Sequence, residues 1–286
     1  MNRLRFGIAL VGTILGTLGL AAAEQGLHFK FTTITVPGAQ ESEVYGINNQ
    51  NVMVGPYIDR SGFHHCFRKT GRQYTRIDDP KSNFSACFGI NNHGVIVGFY
   101  ILPNGDPQAF LYDGEKFVDI TPPGATGSRA FGINDHGVVS GVYTDELNTH
   151  GFLWDGHNFT TLDVPGSTST GAFRVNNDGV VTLYWAQEDG SIAAALYNGA
   201  TYTKMRVPKA ANTYAVGINN LGDVTFQWND AQDLSHGALR HDGKIYRVDV
   251  PNSVYTDANG VNDKRVIVGS YSPGDGQPLV GFAATY

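Results

Sequence analysis

The chain has 286 residues, of which 41% are hydrophobic and 36 are glycine, and its formal net charge at pH 7 is −6. This acidic balance disfavours nucleic acid and anionic membranes as partners. With only two cysteines, the chain can form one disulfide but cannot be a scaffold built from disulfides.

The N-terminus has the pattern of an export signal. A basic start at Arg3 and Arg5 precedes an apolar run over 6–20, and three alanines then end at Ala23. The run is shorter than the ~20 residues that a membrane span requires. We predict a signal peptide at 1–23, a secreted or periplasmic mature protein, and no membrane span after cleavage.

One asparagine recurs through the mature chain at intervals of 42 or 43 residues. Its six copies are Asn48, Asn91, Asn134, Asn176, Asn219 and Asn262. A period of ~40–45 residues that contains four strands is typical of β-propeller blades. The repeat therefore outweighs the two domains that length alone would suggest.

Each repeat contains four strand-like pieces, and the third repeat shows them clearly. The first piece ends at Asn134, and the others cover 138–143, 150–154 and 159–164. These pieces are rich in β-branched and aromatic residues and are bounded by turn residues, whereas sustained helical periodicity is absent. We predict an all-β, six-bladed β-propeller of four-stranded blades that forms a single domain over 24–286.

The two ends of the mature chain predict how the ring closes. The sixth repeat ends with its third strand, at 281–286, and no fourth strand follows. A segment at 31–36 matches the fourth strands of the other repeats. Pairing of these two segments in the last blade would remove the open edges.

Two tight turns in each repeat lie on one side of the predicted disc, which we name the tight-turn face. The recurring asparagine opens the first of them, where its side chain can bond the backbone two residues on. A calcium loop needs a longer ligand series, so we predict a structural role and no metal. The longer connections lie on the opposite side, the long-loop face, where we expect function.

The repeat resembles that of the HAF-repeat extracellular proteins, which are named for a His-Ala-Phe triplet that opens the third strand. Related triplets here include His65-Cys66-Phe67, Gln108-Ala109-Phe110 and His150-Gly151-Phe152, although no copy has all three residues. Gly-Ile-Asn-Asn and Thr-Thr-Leu-Asp-Val-Pro-Gly elements also fit. The resemblance covers essentially the whole mature chain and implies export and a repeat architecture, but no catalytic residues.

Three histidines at the triplet position fall in alternate repeats and invite a metal-site interpretation: His65, His150 and His236. Third strands lie far from the axis, so these positions would be more than ~15 Å apart. Zinc requires ligands at ~2 Å. We therefore expect each histidine to bond within its own blade, to Asp59, Asp145 or Asp230.

An aromatic residue ends the second strand of every repeat. The six are Tyr57, Tyr100, Tyr143, Tyr184, Trp228 and Tyr271, and Trp185 adds a seventh ring. Such rings either pack blade against blade or offer stacking faces to a sugar or peptide.

The two cysteines, Cys66 and Cys87, occupy positions in adjacent repeats where the other repeats have small residues. Both positions should lie toward the long-loop face. They predict a disulfide between the first two blades if their Cα atoms lie ~4.4–6.8 Å apart. Two free thiols are the alternative.

Departures from the repeat near the axis suggest a ligand site. Five residues before the recurring asparagines stand Glu43, Ala86, Arg129, Gly171, Tyr214 and Asp257. Arg174 replaces a glycine that the other five repeats keep. We predict that Glu43, Arg129, Arg174, Tyr214 and Asp257 converge at the channel mouth on the long-loop face and bind a polar ligand. Solvated rim charges are the alternative.

Local enzyme motifs such as Gly-x-Ser-x-Gly, His-Glu-x-x-His and Cys-x-x-Cys are absent from the sequence. We expect an exported, non-catalytic propeller that binds a glycan, peptide or envelope partner through its long-loop face and needs no cofactor. The alternative is a hydrolase or lyase acting on a small polar or sugar-like substrate, with Glu43, Asp257 and Arg129 in the funnel and either with or without calcium. A structural element without a ligand is the third interpretation.

Overall fold

A computed structural model describes residues 26–286, so the predicted signal peptide at 1–23 lies outside the described residues. The described chain contains strands β1 to β25 and no helix. None of these residues therefore forms a helix that could cross a membrane.

The strands follow one another as four-stranded units in chain order. The first is β1 (Lys30–Ile34). Blade 1 contains β2 (Glu41–Ser42), β3 (Gly46–Ile47), β4 (Met53–Ile58), β5 (His64–Thr70) and β6 (Gln73–Arg76). Blade 2 contains β7 (Ser85–Ile90), β8 (Ile96–Ile101), β9 (Pro107–Tyr112) and β10 (Phe117–Ile120). Blade 3 contains β11 (Gly127–Ile133), β12 (Val139–Thr144), β13 (Thr149–Trp154) and β14 (Phe159–Leu162).

The second half repeats the pattern. Blade 4 contains β15 (Thr170–Val175), β16 (Val181–Ala186), β17 (Ile192–Tyr197) and β18 (Tyr202–Met205). Blade 5 contains β19 (Asn212–Ile218), β20 (Val224–Asn229), β21 (Ser235–His241) and β22 (Lys244–Arg247). Blade 6 contains β23 (Tyr255–Val261), β24 (Val266–Ser272) and β25 (Val280–Thr285).

These sheets form a six-bladed β-propeller, as predicted, and the N-terminal strand closes it. Within blades 2 to 6, neighbouring strands pair antiparallel from the axis outward. In blade 1 the inner strand is divided into β2 and β3, which both pair with β4. Strand β1 is the outer strand of blade 6, with Lys30 opposite Thr285 and Ile34 opposite Gly281. The predicted closure is confirmed, although the strand spans 30–34 rather than 31–36. Both ends of the described chain are thus held in one sheet, in which β25 is paired on both sides and β1 is the outer strand.

The core lies between neighbouring blades and depends on a compensation of side-chain size. In four blades a third-strand phenylalanine, such as Phe152, is buried opposite a second-strand glycine, such as Gly141. A Cβ at Gly141 would lie 2.7 Å from the Phe152 ring, so glycine is required there. Blade 5 reverses the pair, with Phe226 opposite Ala238. Each buried phenylalanine contributes about 1.5–3 kcal/mol.

The recurring asparagines close a ring of hydrogen bonds around the channel. Each side-chain Nδ2 donates to the main-chain carbonyl of the equivalent asparagine in the next blade, and Asn262 completes the circle by donating to Asn48 at 2.9 Å. Each Oδ1 also accepts two main-chain N–H groups of its own turn, as Asn91 does from His93 and Val95 at 3.0 Å. One side chain therefore shapes its turn and joins two blades.

The residues that follow those asparagines form a second ring, which we name the turn rim: Asn49, Asn92, Asp135, Asn177, Asn220 and Asp263. Each Oδ1 accepts the main-chain N–H of its counterpart in the preceding blade, at 2.8 to 2.9 Å. The two aspartates stand in opposite blades, and each Oδ2 accepts two asparagine amides. Burial opposes ionisation of Asp135, but these amide bonds hold its pKa below the ordinary value.

The two cysteines are joined. Cys66 lies on β5 of blade 1 and Cys87 on β7 of blade 2, and their Cα atoms are 5.2 Å apart. This separation lies within the range that a disulfide can span. The bridge therefore links two neighbouring blades covalently.

The three histidines do not meet. Each instead lies between two aspartates of its own blade, and His150 is typical, with Nε2 3.2 Å from Asp145 and Nδ1 2.9 Å from Asp163. The other clamps are Asp59–His65–Asp78 and Asp230–His236–Asp249. Burial opposes protonation of His150, but its two carboxylates raise its pKa above the ordinary value. These clamps fix the loop between the second and third strands in alternate blades.

Candidate functional site

The tight-turn end of the channel is a polar cavity of about 70 Å³ lined by the turn rim and the recurring asparagines. Most of its amide and carboxylate groups already bond one another, as described above. Such a ring offers a ligand few free hydrogen-bonding groups. Its role is to hold neighbouring blades together.

An aliphatic constriction separates this end from the rest of the channel. It consists of the residues that precede the recurring asparagines: Ile47, Ile90, Ile133, Val175, Ile218 and Val261. A second cavity of about 70 Å³ lies beyond it and contains Arg174.

Arg174 blocks this inner cavity. Its Nη2 donates to the carbonyls of Tyr45 and Phe88 at 2.9 Å each, and its Nη1 donates to the carbonyl of Phe131. One guanidinium therefore reaches the inner strands of blades 1, 2 and 3 from blade 4. Burial lowers the pKa of Arg174 to about 10, which leaves it charged at neutral pH.

The prediction that Arg174 lies at the channel mouth is corrected by this geometry. The Arg174 side chain faces the channel axis, but it lies in the inner cavity and not at the mouth. Its guanidinium N–H groups are already bonded to main-chain carbonyls. The other blades keep glycine there because the next inner strand approaches closely, and a Cβ at Gly46 would lie 2.6 Å from the Phe88 carbonyl oxygen. Arg174 is therefore a channel plug rather than a ligand-binding cation.

Above the plug, Glu43 and Asp257 stand at the seam between blades 1 and 6. The Glu43 Oε2 accepts from the Ser270 hydroxyl at 3.1 Å and from the Tyr45 hydroxyl at 3.4 Å. Asp257, only 6% exposed, accepts from the Ser235 hydroxyl at 2.7 Å. The structure therefore brings the two predicted carboxyls into one hydroxyl-rich cluster.

A second tyrosine, Tyr255, donates its hydroxyl to the Oδ2 of Asp257. Burial, together with the nearby carboxylates of Glu41 and Asp257, raises the pKa of Glu43 to about 7 against the hydrogen bonds from Ser270 and Tyr45. Burial likewise raises the pKa of Asp257, against hydrogen bonds from Tyr255 and Ser235. At neutral pH the cluster can therefore both donate and accept protons.

The other predicted residues continue the circle. Arg129 belongs to blade 3, opposite Asp257 in the ring, and its guanidinium carbon lies 5.2 Å from the ring centre of Phe99. Tyr214 of blade 5 lies 5.7 Å, between ring centres, from Tyr184 of blade 4. We use the name funnel for the long-loop end of the channel, where Glu43, Arg129, Tyr214, Tyr255 and Asp257 lie.

The series of aromatics at the second-strand ends needs one correction. Trp185 pairs with Thr170 in blade 4 as Tyr143 pairs with Ser128 in blade 3, so Trp185 takes the place that the sequence analysis gave to Tyr184. Tyr184 lies on the other face of its strand, where it fills the space of the missing side chain at Gly171.

The corrected series packs within and between blades. Tyr57, Tyr143 and Trp228 lie against the clamped histidines of their own blades, at 4.5 to 5.0 Å between ring centres. The Tyr100 hydroxyl donates to Asp119 at 3.1 Å. These rings therefore do not form one stacking surface around the axis.

Sequence reasoning missed an arc of aromatic residues around the funnel. They stand three residues before the recurring asparagine in blades 1 to 4: Tyr45, Phe88, Phe131 and Phe173. Neighbouring rings are 4.6 to 5.2 Å apart. The sequence contains the signal for this arc, because an aromatic residue recurs at this position in four successive repeats. Blades 5 and 6 have Val216 and Asn259 there instead.

An inter-blade cavity of about 220 Å³ adjoins the funnel between blades 1 and 2. Two carboxylates and a set of rings line most of it: Glu41, Glu43, Tyr45, Tyr57, His64, Phe84, Phe88 and Phe99. It lies at the ends of the inner and second strands that feed the long loops, so it belongs to the long-loop face.

Within residues 26–286, no group of three or more His, Cys, Asp and Glu side chains is arranged to hold a metal ion. The expectation that no cofactor is needed stays a prediction, as does the calcium of the alternative.

No family model matches the chain, and no curated protein matches it in sequence. Solved structures with a similar fold do exist. A variant of the Aleuria aurantia lectin bound to Fucα1-6GlcNAc has a TM-score of 0.54 at 12% identity, over 88% of this chain and 93% of the lectin. The SapL1 lectin with α-methyl fucoside has a TM-score of 0.58 at 11% identity, over 86% and 93%. TolB from Acinetobacter baumannii has a TM-score of 0.56 at 14% identity, over 86% of this chain and 64% of TolB. At such identities the likeness shows the fold alone.

Proposed function

We propose that this protein is an exported, non-catalytic β-propeller that binds a glycan through the funnel and the inter-blade cavity. The observation that carries the proposal is the composition of the funnel. Carboxyls at Glu43 and Asp257, a guanidinium at Arg129 and hydroxyls at Tyr214 and Tyr255 lie along the inner strands of blades 1, 3, 5 and 6, toward the long-loop face. Sugars present both donors and acceptors together with apolar ring faces, and such a set of groups suits them.

Two further observations support glycan binding. The funnel continues into a cavity walled by aromatic rings, on which the apolar face of a sugar can stack. Two of the similar structures are lectins that were solved with fucosides. Export rests on the basic and apolar pattern before Ala23, and membership of the HAF-repeat family on the sequence elements quoted above.

A glycan array probed with the mature protein tests the proposal. We expect binding to a defined group of glycans, and we expect Asp257→Asn to remove it because the substituted amide changes the hydrogen-bonding pattern at the seam. The control is Asn177→Ala on the opposite face, which should keep the same glycan profile. Binding to no glycan, or to peptides or cell-wall preparations instead, would overturn the proposal.

A second candidate, acid–base catalysis on a small sugar-like substrate, is favoured by one observation. Glu43 and Asp257 form a buried carboxyl pair in which both pKa values are raised, and a carboxyl with a pKa of about 7 can act as a general acid near neutral pH. Release of a chromogenic phenol from aryl glycosides tests this candidate. Turnover that Glu43→Gln abolishes would favour an enzyme over a binding protein.

A further inference from the structure

We propose that the inter-blade cavity between blades 1 and 2 selects a protonated amine, so that the preferred ligand is a glycan with an amino sugar. The inference rests on the proposed function and specifies the ligand class of the same site.

The rings that wall the cavity form a continuous path. His64 stacks on Phe84 at 4.5 Å, Phe84 lies 5.7 Å from Phe99, and Phe99 lies 5.7 Å from Phe88, all between ring centres. Phe88 then meets Tyr45 at 4.6 Å, at the edge of the funnel. The faces of aromatic rings attract cations, with about 0.5–2 kcal/mol for each well-placed contact.

The charge of the lining favours a cation. Its carboxylates come from Glu41 and Glu43, which are two residues apart in chain order, and no lysine or arginine is among the residues that line the cavity. Arg129 lies against Phe99 from outside, so the rings left for a bound cation are those of Tyr45, Tyr57, Phe84 and Phe88, beside the imidazole of His64. An ammonium group in the cavity would face two carboxylates and several ring faces.

The size of the cavity limits the ligand. A volume of about 220 Å³ is below the ~300–1,000 Å³ typical of pockets for drug-sized ligands. One sugar ring with its amino group suits this space, and the remainder of a chain would lie in the funnel. There Arg129, Tyr214 and Asp257 offer bonds to the hydroxyls of the next residues.

Glu43 couples the cavity to the funnel. Its carboxyl lines the cavity and also accepts from Ser270 of blade 6. Its pKa of about 7 is raised by burial and by the neighbouring carboxylates. An ammonium ion beside it would act in the opposite direction and favour the carboxylate. Below pH 7, where the amine is already protonated, its binding should therefore release a proton from Glu43.

The test compares three oligosaccharides by isothermal titration calorimetry at pH 6, where the glucosamine amines and Glu43 are both largely protonated before binding. They are the tetramers of glucosamine, N-acetylglucosamine and glucose, each titrated in two buffers of different ionisation enthalpy. We expect the glucosamine tetramer to bind at least ten times more tightly than the other two. We also expect its binding alone to release protons, so that only its apparent enthalpy depends on the buffer.

Two variants localise the effect. Glu41→Gln removes a charge from the cavity but leaves the funnel intact, so it should reduce the preference for glucosamine several-fold and keep the affinity for neutral tetramers. Phe84→Leu should reduce the same preference through loss of a ring face. The control is Glu146→Gln, which removes an exposed charge from a long loop of blade 3 and should change neither.

The outcomes separate the inference from the proposed function. If the glucosamine and N-acetylglucosamine tetramers bind with equal affinity, the inference is wrong while glycan binding stands. If no tetramer binds and no glycan binds on the array, both are wrong. An unchanged preference in a folded Glu41→Gln variant would also overturn the inference, because its negative charge would then not be recognised.

Discussion

The two ends of the propeller channel are formed by the same six inner strands, yet they obey different rules. At the tight-turn face every blade contributes the same asparagine, and hydrogen bonds run unbroken from blade to blade. At the long-loop face the equivalent positions differ in each blade, from Glu43 in the first to Asp257 in the sixth. The uniform asparagines join blades, whereas the residues five positions before them differ from blade to blade.

This difference separates a structural polar group from a functional one. The polar atoms of the turn rim are largely saturated by other blades, so a ligand would have to replace existing bonds. The funnel groups are bonded chiefly to hydroxyls, which can rotate and rearrange around a ligand. Departure from the repeat alone does not identify a binding residue, since Arg174 departs from it and joins blades through main-chain carbonyls.

The largest expected effect comes from opening the ring. Deletion of residues 24–36 removes β1 and exposes the edge of β25 in blade 6. We expect aggregation or loss of the cooperative melting transition, since both faces depend on closure. Deletion of 24–26 alone, which keeps Leu27 and Phe29 packed on the core, is the control and should melt like the intact protein. A soluble 24–36 deletion with unchanged melting would contradict the closure.

The disulfide should have the next largest effect. Replacing Cys66 and Cys87 by alanine together removes a covalent link that spans 21 residues of chain. The chain-entropy model gives about 3 kcal/mol for a loop of this size. Urea denaturation of the exported protein, with and without reductant, measures it. Reductant should lower the stability of the wild type but not that of the double variant, and two titratable thiols in the native protein would refute the bridge.

Removal of one side chain from the ring of recurring asparagines should lower the stability by a smaller amount. Asn134→Ala leaves two turn N–H groups and one carbonyl of the next blade without their partner. Loss of a buried hydrogen-bonding partner costs about 1–3 kcal/mol. Denaturant midpoints should fall accordingly while the glycan profile of the folded fraction stays the same. A change of profile would mean that the two faces are coupled.

The smallest effect concerns Glu43 and depends on pH. Its pKa of about 7 in the folded protein exceeds the ordinary 4.5, so the folded state holds this proton more tightly than the unfolded state. Its stabilising contribution is therefore complete below pH 4.5 and is lost as the pH rises to about 7. Each pKa unit corresponds to about 1.4 kcal/mol, and partial access to solvent reduces the total to on the order of 1–2 kcal/mol.

Glu43→Gln cannot titrate, so its stability relative to the wild type should increase over that pH range. Urea melts at half-unit steps from pH 4 to pH 8 measure the difference. A constant difference across the range would show that Glu43 is not shifted as described.

The sequence was sufficient for the fold because the information repeats. Six copies of Asn48 and its equivalents establish the number of blades, and the segment near Ile34 supplies the strand that the last blade lacks. An error in one repeat is corrected by the other five. The misplacement of Tyr184 came from a blade in which two aromatics, Tyr184 and Trp185, are adjacent, so that only strand register identifies the equivalent residue.

The site was predicted only in part. Glu43 and Asp257 could be paired because closure makes blades 1 and 6 neighbours. The depth of Arg174 could not be read from the sequence, since a long side chain on an inner strand can reach along the channel in either direction. The inter-blade cavity depends on how the Phe84 and Phe99 rings pack, and no spacing rule in the chain specifies that.

Two variants on the same inner strand of blade 5 test the central claim most directly. Tyr214→Ala alters the long-loop end of this strand, and Asn220→Ala alters the turn rim beside its other end. With the tightest glycan from the array, calorimetry should show at least a tenfold loss of affinity for Tyr214→Ala, which is about 1.4 kcal/mol, with little change in melting temperature. Asn220→Ala should lower the melting temperature and leave the affinity unchanged. Equal loss of affinity in both variants, or none in Tyr214→Ala, would contradict the division between a face that binds and a face that holds the blades together.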